Sequence, residues 1–553
     1  MNLSKKKLLI SIFLILIVSF SLLIRVYRLS SIPLGFHIDE ASLGYNGYSL
    51  LLTGKDENNQ KLPLYIDMFG DNRPSGYHYL TEIPIKFLGL NEFSTRFPGA
   101  IFGTLTVASF FFLAQLLFKS KKVSLISSLL LAIASWHVVL SRASAETIVS
   151  LFFIISGFVL LLFSLQKQKP IYCFAAAATL SISFFFYHTS RVFVPLLFFV
   201  SILYLYPTWI KSRKKYKISL LLSFFIISLI SFSLVFLIKG GAGRFSQVNI
   251  FSYPETRLVL EEQIREDGFS TIPVFIARAS HNKVINYSLT FASNYFDYFS
   301  GRFLFTQGGL PNWYKVSGLG LIYIVELPFI LIGLFYLFFS KNRYYKLPLI
   351  WLILAPVTAA FTVDDVPNIQ RTIVIFPIIE LIAAYGFVIF TNRFKDFKYK
   401  AVVAFSAFFL IMNFFYFLHQ YFVHSPIHRN WYRNEGFGQM VDLVKKDYSS
   451  YDNIIVTKSL GGVYPLILFY MKYDPSQYQK EGSSKDINNT GFGKFFFVSS
   501  ACPSIDRDPG FPKAEKTIYV DNGSCPDYKS LINKEYIYIT RKDGTRVFRI
   551  VYE

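Results

Sequence analysis

Two acidic residues stand side by side in His37-Ile38-Asp39-Glu40, about a dozen residues past the first long apolar run, Leu8 to Ile24. A bilayer-spanning helix needs roughly 20 apolar residues, so the chain has just left the hydrocarbon when it presents this pair. Carboxylates at that height are costly and are more often functional than decorative. Partial loss of water raises a carboxylate's pKa toward neutrality. Such a group serves as general base on a hydroxyl, worth about 10²–10⁴-fold in rate. Adjacent carboxylates also suit Mg²⁺ or Mn²⁺, and a solvated loop is the plain alternative.

Further candidates recur along the chain. In Asp71-Asn72-Arg73-Pro74-Ser75-Gly76-Tyr77-His78-Tyr79, Pro74 suits a helix start. Arg73 then stands at a helix N-terminus, where guanidinium and backbone N–H groups grip phosphate oxygens. An ordinary lipid headgroup would satisfy the same arginine. Arg142 and Glu146, in Ser141-Arg142-Ala143-Ser144-Ala145-Glu146, fit a mutual ion pair. In Tyr187-His188-Thr189-Ser190-Arg191, His188 and Arg191 suit a phosphate or, equally, a helix-end snorkel. Arg371, closing Asp364-Asp365-Val366-Pro367-Asn368-Ile369-Gln370-Arg371, is a second phosphate candidate, and its Asp pair reads as solvated. Arg96-Phe97-Pro98 reads as structural.

The elements that must position these groups are membrane helices. Of 553 residues, 53% are hydrophobic, 18% aromatic and only 16% charged, whereas a soluble chain is about 25% charged. The net charge of +21 invites a nucleic-acid reading, but much of it sits in short clusters between apolar runs, so no nucleic-acid partner is expected. The runs are roughly 8–25, 95–118, 123–140, 147–165, 171–187, 192–209, 218–238, 319–340, 347–361, 372–390 and 401–420, about eleven spans by length. Basic clusters at Lys5 to Lys7, Lys119 to Lys122, Lys167 to Lys169, Lys211 to Lys217, Lys341 to Lys346 and Arg393 to Lys400 fall at every second gap. The positive-inside rule then puts the N-terminus in the cytoplasm of a multi-pass cell-membrane protein. The first run is too long, and lacks the small-residue cleavage site, for a removable signal peptide. The remaining gaps, 26–94, 141–146, 188–191, 239–318, 362–371 and the tail from 421, face outward and hold every candidate.

Within 26–94, the half-apolar stretches Ala41 to Leu52 and Gly76 to Leu88 fit helices in the membrane interface. The loop 239–318 begins Gly240-Gly241-Ala242-Gly243-Arg244 and turns aromatic at Asn294 to Phe299, which suits a lid over a groove or ordinary packing. Residues 1–423 thus form a transmembrane domain. Residues 424–553 read as a small extracytoplasmic α/β domain, with helices at Phe437 to Lys446 and Val463 to Lys472, strands at Asn453 to Thr457, Lys494 to Ser499 and Thr517 to Val520, and a hairpin from Tyr536 to Tyr552 turning at Asp543-Gly544. Of three cysteines, Cys173 sits in a span. Cys502 and Cys525 both lie in the tail, where an oxidising compartment would permit a disulfide.

The order of these elements resembles the GT-C glycosyltransferases of the protein O-mannosyltransferase and aminoarabinose-transferase kind (glycosyltransferase family 39-like). The likeness rests on an outward Asp-Glu, an Arg-Pro element followed by tyrosine in Arg73-Pro74-Ser75-Gly76-Tyr77-His78-Tyr79, and Glu92-Phe93-Ser94-x-Arg96-Phe97-Pro98 opening the second span. It is carried by Phe36 to Gly44, Asp71 to Tyr79, Asn91 to Gly103, Trp136 to Glu146 and Tyr187 to Pro195, with a weaker match at Asp364 to Arg371. It implies a GT-C membrane fold and a donor sugar, a hexose such as mannose or a pentose, carried on polyprenyl phosphate. Transfer would run on the outer face to a hydroxyl of an envelope glycan, lipid or protein. It further implies Asp39 as base with Glu40 as its partner, Arg73 on the lipid phosphate, and no cofactor, a divalent metal at Asp39/Glu40 being the alternative. His188, Arg191 and Arg371 are expected around the phosphate, with His37, Tyr77, Arg142 and Glu146 as further site candidates. One base and no protein nucleophile imply inversion at the anomeric carbon. The rival function is a transporter or flippase for lipid-linked sugars. Transporters place polar groups at mid-membrane in broken helices, whereas the charged groups here cluster at one face.

Overall fold

The computed structural model describes residues 3–238, 241, 247–252, 254–270, 272–428, 430–482, 486, 488–506, 514–527 and 535–553. The glycine-rich start of the 239–318 loop lies outside the described residues apart from Gly241. The chain divides into two compact units: Met1–Arg25, Gly99–Ser141 and Ala145–Phe417 form the first, and Val26–Pro98, Arg142–Ser144 and Leu418–Glu553 the second.

Each of the eleven apolar runs is helical over most of its length. Among the described residues, five helices are long and apolar enough to cross a membrane: Lys7–Val26, Glu92–Phe118, Glu146–Lys167, Lys214–Leu237 and Asp396–His424. Lys121–Ile133 and Ser135–Ser141, bent by 57° at Ala134, make a sixth if counted as one span. Pro170–Phe185, Ser190–Tyr204, Ile324–Phe339 and Ile375–Thr391 are apolar but shorter. At about 1.5 Å per residue they reach less than the roughly 30 Å hydrocarbon thickness. Of the roughly eleven expected spans, five or six are thus single long helices among the described residues, and others are shorter or broken apolar helices. Local breaks account for the difference: a 3₁₀ turn at Ser183–Phe185 and a stop before Pro356 cut the runs short. In the first unit the helices Leu327–Phe339 and Ile375–Thr391 meet backbone to backbone. A Cβ on Gly386 would lie 1.9 Å from the Phe329 carbonyl oxygen, the close approach that small residues permit between membrane helices.

In the second unit, the helix Ile38–Thr53 begins three residues before the expected stretch Ala41 to Leu52, and so takes Asp39 and Glu40 into its first turn. The cause is a capping box. The His37 ring accepts the Asp39 N–H at 3.2 Å while the Glu40 carboxylate accepts the His37 N–H at 3.2 Å. Gly54, at φ 68°, closes the helix. Strands β1 (Tyr65–Met68) and β2 (Asp71–Pro74) form an antiparallel hairpin. Pro74 thus ends a strand instead of opening a helix. The next helix, Gly76–Leu88, is the interfacial candidate with the expected bounds.

The tail builds a six-stranded sheet from β3 (Asn453–Thr457), β4 (Gly491–Phe492), β5 (Phe495–Val498), β6 (Thr517–Asn522), β7 (Tyr536–Thr540) and β8 (Arg546–Tyr552), in the order β4-β5-β3-β6-β8-β7. The strand β3 runs parallel to β5 and β6, and the other pairings are antiparallel. Cys502 and Cys525 are joined, with Cα atoms 5.8 Å apart. Cys173 is buried and unpaired. The tail does not stand alone. Phe36, Ala41, Tyr45, Ile85 and Leu90 of the first loop share one core with Ile454, Leu466, Phe469 and Ile518 of the tail. The Phe36 and Phe469 rings lie 4.5 Å apart. The Gln479 amide donates to Ser49, Thr53 and the Asp56 carbonyl.

Candidate active site

Capping sets the direction of the two acids. They occupy consecutive positions in the first helical turn, roughly 100° apart around the axis, and their carboxylates diverge. The Asp39 carboxylate pairs with Arg73 at 3.1 Å and stands 3.7 Å from the His37 ring nitrogen. Arg73 on β2 also holds Asp71 at 3.2 Å. This group is partly open: the Asp39 and Arg73 side chains are 22% and 24% exposed.

Glu40 turns to a buried cluster instead of acting as partner to Asp39. Arg96 donates to it at 2.9 and 3.3 Å, Arg433 also donates, and the Ser144 hydroxyl donates at 3.2 Å. Arg96 further donates to the carbonyls of Leu29, Pro33 and Gly35 and stacks over Phe36. Burial alone would raise the Glu40 pKa. The Arg433 and Arg96 guanidiniums more than offset it and hold the carboxyl below its ordinary value. Gly35, at φ 76°, lets the chain pass Arg433: a Cβ there would lie 2.4 Å from the Arg433 carbonyl oxygen. Ser144 holds a left-handed φ of 48°, a conformation that a residue with a Cβ adopts only where its surroundings enforce it.

The remaining candidates of this unit support the frame. The Tyr77 hydroxyl, fully buried, donates to the Thr95 carbonyl, as does Ser144. Arg142 donates to the Ile32 carbonyl at 2.8 Å and lies over the Tyr421 and Phe422 rings. Burial pushes the His37 pKa down, with Asp39 opposing. His78, wholly buried in the first turn of the helix Gly76–Leu88, is pushed down to about 3 by burial and then by the Arg73 charge.

The first unit brings His188 and Arg191 together at 3.0 Å, with Arg191 also donating twice to the Phe184 carbonyl. Arg371 donates to Thr362 and Asp364, so that Asp364 is an ion-pair partner instead of a merely solvated acid. Arg191 thereby satisfies a carbonyl in the 3₁₀ turn Ser183–Phe185, where intrahelical donors run out. Glu146 opens the helix Glu146–Lys167 and is buried. Sequence reasoning passed over Arg433, and the only signal was an arginine placed soon after the last span. Among the described residues no three His, Cys, Asp or Glu side chains gather around a common point.

Residues 72–232 match the family model described as dolichyl-phosphate-mannose-protein mannosyltransferase. Among solved structures, the chain is similar to ArnT from Cupriavidus metallidurans bound to undecaprenyl phosphate, at TM-score 0.54 and 12% identity over 97% of both chains. The apo ArnT structure gives 0.51 at 12% identity and the same coverage. The oligosaccharyltransferase AglB from Archaeoglobus fulgidus, in complex with an inhibitory peptide and a dolichol-phosphate, gives 0.51 at 13% identity. That match covers 84% of this chain, which spans only 64% of that protein's length. No curated protein sequence matches. The fold is therefore that of the GT-C glycosyltransferases, polytopic membrane proteins with, in this chain, a sheet-containing C-terminal region.

Proposed function

We propose that the chain transfers a sugar, a hexose such as mannose or a pentose, from a polyprenyl-phosphate-linked donor to a hydroxyl of a cell-envelope acceptor at the outer face of the membrane. The observation that carries this reading is the partly open Asp39–Arg73 pair, set on a capped helix and a hairpin strand. Support comes from the fold it shares with neighbours whose structures hold undecaprenyl phosphate and dolichol-phosphate.

An arriving lipid phosphate competes with Asp39 and Asp71 for the Arg73 guanidinium. Bidentate phosphate recognition favours the ligand. Once Arg73 turns to the phosphate, Asp39 faces the acceptor hydroxyl. The acceptor oxygen attacks the anomeric carbon, its proton passes to Asp39, and the sugar–phosphate bond breaks with its electron pair going to the phosphate. Arg73 stabilises the charge that grows there, so its effect is largest in the transition state. One displacement inverts the anomeric centre. Purified protein given radiolabelled polyprenyl-phosphate sugar tests the reading: labelled acceptor with inverted stereochemistry by NMR is expected. Movement of intact donor across a bilayer without cleavage would favour the transport function instead.

A further inference from the structure

One short segment of the tail, Leu460 to Tyr464, touches the supports of both Asp39 and Arg73. It follows β3 and opens the helix Val463–Met471, whose residues Val463 to Phe469 are all buried. This helix is keyed to the helix Ile38–Thr53 at two points. A Cβ on Gly44 would lie 2.6 Å from the Phe469 ring, and a Cβ on Gly462 would lie 2.0 Å from the Ile38 Cγ2. Each large side chain thus occupies the space that a Cβ on the facing glycine would need. The two contacts come in the same order along both segments, so the helices run in the same sense and neither slides without a clash. Ile38 is β-branched and stiff, and it stands between His37 and Asp39 at the capped start of its helix.

The same segment braces the hairpin. Strands β1 and β2 are joined by Phe69 and Gly70, both at positive φ, 59° and 85°. Two-residue hairpin turns take that form, but a phenylalanine adopts it only where its surroundings enforce it. The Phe69 ring meets the buried Tyr464 ring edge-on, with centroids 5.8 Å apart. A two-stranded hairpin alone is marginal in water. The contact therefore helps to fix the strand from which Arg73 reaches Asp39 at 3.1 Å.

We infer that Gly462 and Tyr464 are positioning residues for the Asp39–Arg73 pair: Gly462 sets the acid through Ile38, and Tyr464 sets the guanidinium through Phe69. The tail acts on the chemistry by holding the two groups in register, where a displacement of about 1 Å costs up to about 100-fold in rate. The inference rests on the proposed transferase reading and gives the tail its part in it.

Gly461 supplies the control. It too holds a left-handed φ, 69° against 65° at Gly462, but a Cβ there would meet nothing within 4 Å. Alanine at either position strains the backbone alike, and only Gly462→Ala presses on Ile38. The full chain in lipid nanodiscs is assayed with radiolabelled polyprenyl-phosphate sugar. Both glycine variants should lower the thermal midpoint. In Gly462→Ala alone, kcat should fall about 10- to 100-fold, with KM for the lipid donor near the parent value. Tyr464→Leu should weaken polyprenyl-phosphate binding about 2- to 10-fold, the scale of one aromatic pair, and Tyr464→Phe, which keeps the ring, should restore it. Transfer reduced equally in the two glycine variants or in neither, or unchanged lipid binding in Tyr464→Leu, would overturn the inference. If the parent binds the lipid but cleaves no donor, the transferase reading fails, and the two Tyr464 variants still decide whether the tail sets Arg73.

Discussion

Glu40 and Arg433, 393 residues apart in the chain, form a buried ion pair that ties the start of the first loop's helix to the beginning of the tail. With Arg96 on the same carboxylate, the pair holds the turn from which Asp39 projects. Removing one member of a buried pair leaves an uncompensated charge and costs about 3–5 kcal/mol. Arg433→Met should fall near the lower end, about 3 kcal/mol, because Arg96 remains on Glu40. Glu40→Gln strands two guanidiniums and should cost at least as much. Thermal unfolding of the full chain in detergent measures both, and unchanged midpoints would remove the anchoring role.

Asp39 has the opposite profile. It is partly open and its partner Arg73 is shared with Asp71, so Asp39→Asn should leave thermal stability nearly unchanged. Sugar transfer should fall by about 10²–10⁴-fold, the usual contribution of a general base. Polyprenyl-phosphate binding should survive. An Asn variant with full transfer would end the base assignment.

Arg73→Ala should instead weaken polyprenyl-phosphate binding about 10- to 100-fold, the scale of losing a charge-assisted hydrogen bond. Arg73→Lys should recover part of it, since a lysine keeps the charge without the bidentate fork. Equilibrium binding of the lipid phosphate to the three proteins separates these outcomes.

Hydropathy and turn chemistry carried far here because they are local. Gly76–Leu88 and Asn453–Thr457 have the bounds that periodicity and flanking residues predict. The division of labour between Asp39 and Glu40 was hidden, because it follows from which side of one helical turn meets Arg96 and Arg433. The latter contact closes over 393 residues, and no local pattern encodes it. Pro74 misled for a related reason: it suits a helix start and a strand end alike, and only the pairing Tyr65 to Pro74 decides. Apolar composition marked the runs but not where a helix breaks within them, as at Ser183 and Pro356.

Acid should destabilise the protein through His78. Its folded pKa is depressed to about 3 from an ordinary 6.5. Between those values the unfolded chain carries the proton and the folded one does not, so stability rises with pH across that window. Lowering the pH from 7 toward 3 should therefore cost on the order of 4–5 kcal/mol at this one residue. His37, also depressed, adds a loss of the same sign. His78→Gln should flatten the fall in thermal midpoint between pH 6.5 and 4 relative to the parent. Parallel curves would show that acid acts elsewhere.

The Cys502–Cys525 bond closes a loop of 23 residues beside the buried Asp521–Arg549 ion pair of the sheet. Cross-linking a loop of this length restricts the unfolded chain and is worth about 3 kcal/mol. That bond and that pair hold the same edge of the domain, since Ser504, two residues after Cys502, donates to Asp521 at 2.9 Å and Arg549 donates to the Cys525 carbonyl. Reduction should therefore loosen the segment around Ser504 before the β3–β6 centre. Hydrogen exchange on the full chain, oxidised and reduced, should show protection lost first at 500–506 and 521–527 and retained at Ile454 to Val456. Uniform loss across the sheet would mean that the disulfide supports the whole domain instead of one edge.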